Sequence, residues 1–171
     1  RATSGGHMLA NRRRALSALH ELQSGGQIEK RYTALLQGRI RAGCWRTDLP
    51  VRKNTLNCGA RVVWVDPEGK VAVTRFRVLR RFADASLVEA VLETGRTHQI
   101  RVHAAANGTP ILGDPKYGDA EANRRFRDLG LRRLFLHAAS LRIPWPGRSA
   151  SRLVEAPLAH ELEILVETLD E

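Results

Sequence analysis

Between Ser86 and Gly108 the chain changes its apolar period, and what lies at the change limits the folds open to it. Ser86-Leu87-Val88-Glu89-Ala90-Val91-Leu92 crowds aliphatic and β-branched residues into a short run closed by Thr94-Gly95, which predicts a strand entering a turn. Ile100, Val102, Ala104, Ala105 and Ala106 then predict a helix that stops at Asn107-Gly108. The strand-to-helix junction carries Arg96, Thr97, His98, Gln99, Arg101 and His103. Free backbone N–H groups at a helix start favour anions, and Arg96 adds a planar fork of donors suited to carboxylate or phosphate. A solvated helix start accounts for an arginine here, but solubility alone does not call for so mixed a set.

The residues ahead of the junction read as an antiparallel meander. Arg61–Asp66 predicts a strand, Pro67-Glu68-Gly69 a turn, and Val71–Phe82 a long alternating strand that pairs with 85–92 and delivers the chain to Arg96. Ile28–Gly38 predicts another strand, with Tyr32, Ala34 and Leu36 on one face and Arg31, Thr33 and Leu35 on the other. Tyr32 is either a core aromatic or a site residue. Residues 39–60 are polar and punctuated by Pro50, Asn54, Asn57 and Gly59, so loops with one weak strand are expected.

At the start, Gly6–Ala10 looks like a strand. Asn11 is expected to cap a helix with Ala15, Leu16, Ala18, Leu19 and Leu22 as its apolar stripe, ended by Ser24-Gly25-Gly26. Arg12, Arg13 and Arg14 in its first turn are either a solvated face or phosphate contacts. Beyond the junction, Thr109–Gly118 is too rich in Gly and Pro for a regular element and is expected to be a shaped loop. Asp119–Leu129 predicts a polar helix facing solvent or RNA. Leu134–Ile143 and Arg152–Glu155 predict strands joined by a turn at Pro144–Gly147, and Glu161–Leu169 predicts an acidic amphipathic helix used for packing. There are no internal repeats. The sum is an α+β domain over 1–171, with a mixed, mainly antiparallel sheet and flanking helices.

Charge points to the partner. The formal net charge is +10, with arginine exceeding lysine, which favours bidentate contacts to phosphate and makes nucleic acid the leading partner. No run is long and apolar enough to span a membrane and no signal peptide opens the chain, so a soluble cytoplasmic protein, and a monomer, is expected. Cys44 and Cys58 lack metal-ligand spacing and read as ordinary thiols. Neither a metal nor a cofactor is implied.

Thr94-Gly95-Arg96-Thr97-His98-Gln99-Ile100-Arg101-Val102-His103, Pro110–Asp114 with Tyr117-Gly118, Leu136-His137-Ala138 and Lys30-Arg31-Tyr32-Thr33-Ala34 together resemble the RluA family of pseudouridine synthases. The likeness runs in order through nearly the whole chain. With the strand Thr74–Leu79, it is most similar to the RluC type, which acts on 23S ribosomal RNA of the large subunit. The resemblance implies the pseudouridine synthase catalytic fold and isomerisation of specific uridines within RNA, with no cofactor.

The resemblance also distributes roles. Arg96 matches the arginine that pairs with the catalytic aspartate, and Tyr32 matches the active-site tyrosine. Ile100 is expected to line the apolar wall of the pocket. Thr97, His98, Arg101 and His103 are expected to bind substrate, through RNA-backbone contacts or scaffold hydrogen bonds rather than as acid–base catalysts. In the family the aspartate stands in His-Arg-Leu-Asp, two residues ahead of Thr-Ser-Gly. Arg1-Ala2-Thr3-Ser4-Gly5 matches only the tail of that motif, so the nucleophilic aspartate is expected immediately before Arg1. The 171 residues alone are then expected to be inactive, and the amino-terminal S4-type RNA-binding domain of RluC-like members also falls outside them. The competing reading is a basic RNA-binding module without chemistry. A metal-dependent nuclease built on His98, His103 and Asp114 is weaker, because a second carboxylate at ligand spacing is missing.

Overall fold

The computed structural model describes residues 3–55, 61–145 and 150–170. In chain order the elements are β1 (Ser4–Gly5), α1 (Arg13–Ser24), β2 (Glu29–Gln37), β3 (Cys44–Asp48), β4 (Val51–Thr55), β5 (Arg61–Val65), β6 (Val73–Arg81), β7 (Ala85–Leu92), α2 (Gln99–Ala106), α3 (Ala120–Asp128), β8 (Leu136–Pro144), β9 (Ser151–Glu155) and α4 (His160–Thr168). The main sheet runs β1-β8-β2-β7-β6-β3, and β9 also pairs with β8. Among the described residues only β1 lies parallel to its neighbour; the other pairings are antiparallel. This is the α+β architecture expected from the sequence.

Both faces of the central strands are covered at one end. Leu35 on β2 and Leu87 on β7 pack with Phe126 of α3 and Leu162, Leu165 and Val166 of α4. Ala34 and Leu36, with Val88 and Ala90, pack on the opposite face against Ile100 and Ala104 of α2. Burial on both faces explains why β2 and β7 read as nearly continuous apolar runs there rather than as clean alternations. Toward the other end the first face is solvated instead. There Glu89 pairs with Arg31 and Arg77, and Glu93 with Arg46 and Arg75.

Several expectations are corrected. Gly6–Ala10 is not a strand: pairing to β8 ends at Gly5, whose φ of +93° turns the chain off the sheet. Helix α1 is capped by Arg12 rather than Asn11, without a side-chain cap, and none of its residues is fully buried. Its apolar stripe is therefore only half covered. Residues 39–55 hold two strands instead of one weak one. The first, β3, is an edge strand whose Trp45 stacks on Phe76 at 4.8 Å between ring centroids, while its charged residues Arg46 and Asp48 are exposed. Strand β5 does not join β6 in a meander. Asp66 N–H donates to Pro50 O, and Val51 and Lys70 bond each other reciprocally, so β5 closes with β4 as a separate two-stranded arm. Helix α3 is less solvated than expected, since Ala122 and Phe126, four residues apart, enter the core. Cys58 and the part of the expected turn at Pro146–Gly147 lie outside the described residues, as do Arg1 and Ala2.

Candidate active site

The turn that delivers Arg96 is held by one buried amide. Gln99, 2% exposed, accepts from the Thr94 hydroxyl at 2.7 Å and from Arg96 N–H at 3.0 Å through Oε1. Its Nε2 donates to Val73 O and Thr74 Oγ1, both at 3.0 Å. Thr94 Oγ1 in turn accepts Val73 N–H at 2.9 Å. All four hydrogen-bonding positions of the amide are used, so the end of β7, the start of β6 and the first residue of α2 are locked together. Gln99 was legible only as one more polar residue in the cluster; its anchoring role needs the tertiary pairing.

The network continues inward through Thr74. Its hydroxyl meets His103 Nδ1 at 2.9 Å, and His103 Nε2 lies 2.9 Å from Leu49 O. A carbonyl only accepts, so Nε2 carries the proton and Nδ1 accepts from Thr74. Burial pushes the imidazole below its ordinary value, more than the Leu49 carbonyl and Asp48 oppose it, which keeps it neutral. With 0% exposure and both nitrogens committed, His103 has nothing to offer a substrate and is corrected to a scaffold residue.

Arg101 and Asp114 form a second internal anchor. Arg101 Nε and one terminal nitrogen donate to the two carboxylate oxygens at 2.7 and 2.6 Å. Asp114, 0% exposed, also accepts from the N–H groups of Lys116 and Tyr117. Burial alone would raise its carboxyl, but Arg101 and the two amides outweigh it and hold the value below the ordinary range. Arg101 thus shapes the loop after α2 as well as reaching the cavity described next. His103 and Asp114, offered as metal ligands with His98, are each committed to separate internal partners.

Tyr32, Arg96, His98, Ile100 and Arg101 meet at one cavity of about 450 Å³, with Thr3, His7, Leu92, Gln99 and Leu136 completing its wall. Ile100, Leu92 and Leu136 supply an apolar side. Tyr32 is aimed there by an irregularity in pairing: Arg31 faces Ser140 on β8 but Tyr32 faces Ala138, so Ala139 is an extra residue. Burial pushes the Tyr32 phenol upward, so it stays protonated. Arg96 is exposed, its Nε donating to Val71 O at 3.1 Å. Thr97 does not reach this cavity. It faces a neighbouring groove of about 510 Å³ with Arg52, Lys53, Lys70 and Arg96.

The amino-terminal segment is fastened to the same cavity. Ser4 pairs with His137 and Gly5 with Ala138 in the β1–β8 ladder. His137 Nε2 donates to Ala156 O at 3.1 Å, so its Nδ1 accepts the Ser4 hydroxyl, also at 3.1 Å. Gly5 is required: a Cβ there would stand 2.3 Å from Ala138 O. Thr3 is thereby placed on the cavity wall beside Arg96 and Tyr32. His137 and Ser4 were visible in the sequence only as pieces of separate motifs.

Part of the uncompensated charge lies at the start of α1. Arg31, Arg46, Arg75 and Arg77 are paired with acids, whereas Arg12, Arg13 and Arg14 on α1 are exposed and no carboxylate partner is described for them. No described helix is long and apolar enough to cross a membrane.

Comparison with known proteins agrees with this geometry. A family model described as RNA pseudouridylate synthase matches residues 1–106. The chain is 44% identical over 162 residues to ribosomal large subunit pseudouridine synthase C of Yersinia pestis, covering 95% of this chain and 51% of that protein. To its counterpart of the same name in Escherichia coli K12 it is 42% identical over 171 residues, covering 99% of this chain and 54% of that one. The chain thus spans about half the length of these relatives. Among solved structures, human RNA pseudouridylate synthase domain containing 1 superposes with a TM-score of 0.73 at 26% identity, over 96% of this chain and 78% of that one. Human RNA pseudouridylate synthase domain containing 4 superposes at 0.74 with 25% identity, over 93% and 69%. These likenesses do not favour a binding module without chemistry.

Proposed function

The chain belongs to the RNA pseudouridylate synthase family, and from that premise we propose that the whole protein isomerises specific uridines of large-subunit (23S) ribosomal RNA to pseudouridine, in the cytoplasm. The observation that carries the reading is the convergence of Thr3, Tyr32, Arg96 and Ile100 on one cavity from three separate segments. Relatives matched over almost the entire chain bear the name ribosomal large subunit pseudouridine synthase C, which supports the substrate class.

The reaction breaks the bond from ribose C1′ to uracil N1, turns the base and joins C1′ to C5. The proton on C5 is lost and N1 regains one, so no redox partner or group donor is consumed. The base has to leave its stack to turn, at a cost of roughly a few kcal/mol. The apolar wall of Ile100, Leu92 and Leu136 receives it, and the Tyr32 ring, which lines the same cavity, stacks on it. The Tyr32 phenol, kept protonated by burial, is not the base; the C5 proton passes to water, and the Tyr32 hydroxyl assists by hydrogen-bonding to that water.

The nucleophilic carboxylate is assigned to an aspartate immediately before Arg1. Thr3 on the cavity wall brings that part of the chain toward Arg96. The guanidinium keeps the carboxylate ionised and aimed. Arg12, Arg13 and Arg14, with the groove holding Lys53, Lys70 and Thr97, contact the RNA backbone.

The test is tritium release from ribosomal RNA labelled at uracil C5, incubated with the whole protein. Release matched by pseudouridine in the digested RNA is expected; RNA binding without either product would overturn the reading.

A further inference from the structure

Tyr117 stands outside the cavity wall, yet its hydroxyl joins two parts of the molecule that RNA has to engage together. The residue is firmly seated. Its N–H donates to Asp114 Oδ1 at 3.1 Å, the Arg101 guanidinium lies 4.9 Å from its ring centroid, and its side packs on the cluster of Val51, Val63, Ala72 and Val102. The hydroxyl accepts Val63 N–H from β5 at 3.1 Å, an N–H not used by the β4–β5 ladder. It also meets His98 Nδ1 at 3.0 Å. A phenol has one proton, and the Val63 contact does not use it, so that proton is available to Nδ1. Donated there, it leaves a neutral His98 ring carrying its own proton on Nε2. Burial pushes the Tyr117 phenol upward, which keeps it a donor.

His98 is the only described non-glycine residue with positive φ, at 53°. That conformation costs of order 1–3 kcal/mol and persists only where the surroundings impose it. It falls between Arg96 and Gln99, at the cap of α2 and on the wall of the cavity. On the other side, β5 belongs to the arm whose Arg52 and Lys53 face Arg96 and Thr97 across the basic groove.

We propose that Tyr117 is a positioning residue for the isomerisation, acting through His98. Its hydroxyl sets the tautomer and the left-handed backbone of His98, and ties the β4–β5 arm to the cavity so that RNA on the arm and the nucleotide in the cavity keep one register. The inference rests on the reading of the cavity as the uridine site.

The experiment is a double-mutant cycle in the whole protein with Tyr117→Phe, which keeps the ring, and His98→Asn, which suits a left-handed backbone. Each variant is expected to lower the single-turnover rate of pseudouridine formation by roughly ten- to a hundredfold, the scale of a small misplacement in a reactive site. The double variant is expected to lose no more than the worse single one. In ¹⁵N spectra of histidine-labelled protein, His98 Nδ1 should be unprotonated in the wild type, with the two tautomers mixed in Tyr117→Phe. Additive losses, or an unchanged His98 signal, would overturn the proposal, and so would a wild-type rate in Tyr117→Phe. A wild-type protein that makes no pseudouridine overturns the reading of the cavity instead, and the ¹⁵N signal still decides whether Tyr117 governs His98.

Discussion

The side-chain oxygen of Gln99 accepts the backbone N–H of Arg96 at 3.0 Å, so a buried amide holds the backbone from which an exposed guanidinium projects. Replacing it by leucine leaves the Val73 carbonyl and the hydroxyls of Thr74 and Thr94 short of partners. The expected loss of stability is about 2–4 kcal/mol, read by urea unfolding. Under conditions where Gln99→Leu is still folded, single-turnover activity should fall further than stability explains, because the Arg96 turn is released. Wild-type activity in the folded variant would limit Gln99 to stability alone.

Arg96 itself reaches no acid among the described residues; its Nε is bonded to the Val71 carbonyl. If its task is to hold the catalytic carboxylate, Arg96→Ala in the whole protein loses turnover by at least roughly 10²–10³ while keeping most RNA affinity. Arg96→Lys restores the charge without the planar fork and should recover little. Tritium release and filter binding separate the two quantities. Wild-type-like yield from Arg96→Ala would discredit the assignment.

The outline of the fold was readable in residues whose surroundings are set locally. Strand β7, the Thr94-Gly95 turn and helix α2 fall where period and turn chemistry place them, and Asp119 caps α3 by accepting Ala122 N–H at 2.7 Å. Pairing was less legible. Strand β5 alternates like a meander partner for β6, and only the contacts of Pro50 and Val51 with the Asp66–Lys70 turn divert it into the arm. In the site, Tyr32, Ile100 and Arg96 could be named from motifs, but the same motif also contains His103, which lies wholly in the interior. Which polar residues of such a cluster face the cavity and which brace it depends on partners far along the chain, such as Leu49 and Thr74.

Gly5 provides a test of the amino-terminal anchor. Its φ is +93°, and a methyl group would press on the Ala138 carbonyl. Gly5→Ala should therefore cost about 1–3 kcal/mol or detach β1 from β8. Detachment moves Thr3 off the cavity wall, so pseudouridine formation should drop while the melting of the remaining sheet changes little. Amide exchange at Gly6, whose N–H donates to Ala138 O, reports the detachment directly. Protection at Gly6 combined with lost activity would show that the anchor is not what the substitution damages.

Salt dependence tests where the RNA backbone lies. The acid-paired arginines of the sheet are poorly placed to release counterions, whereas Arg12, Arg13 and Arg14 are exposed without described acid partners. Affinity for RNA should fall steeply between low and moderate salt. Replacing the three arginines by alanine should reduce the slope of log K against log salt by up to about 2, at roughly 0.7 per single-strand phosphate contact. An unchanged slope would move the backbone path off α1, and a flat response in the wild type would contradict phosphate-dominated binding.

The pH dependence of stability should carry the mark of two buried groups with opposite charge types. His103 has its folded value below the ordinary 6.5, so as pH falls through 6.5 the unfolded chain takes up a proton that the folded one refuses. Stability declines in that window, by at most about 1.4 kcal/mol per pH unit for one group. Asp114 has its folded value below the ordinary 3.8, so its contribution is complete above 3.8 and is lost as pH falls through the lower folded value. His103→Gln keeps a donor and an acceptor but cannot titrate, and it should flatten the unfolding free energy between pH 7 and 5.5 relative to wild type. Asp114→Asn should be destabilised at pH 7, with the gap to wild type closing only in strong acid. Urea unfolding across pH 3–8 reads both. A His103→Gln curve parallel to wild type would mean that the ring binds protons equally in the folded and unfolded chains, and burial would then not lower its value.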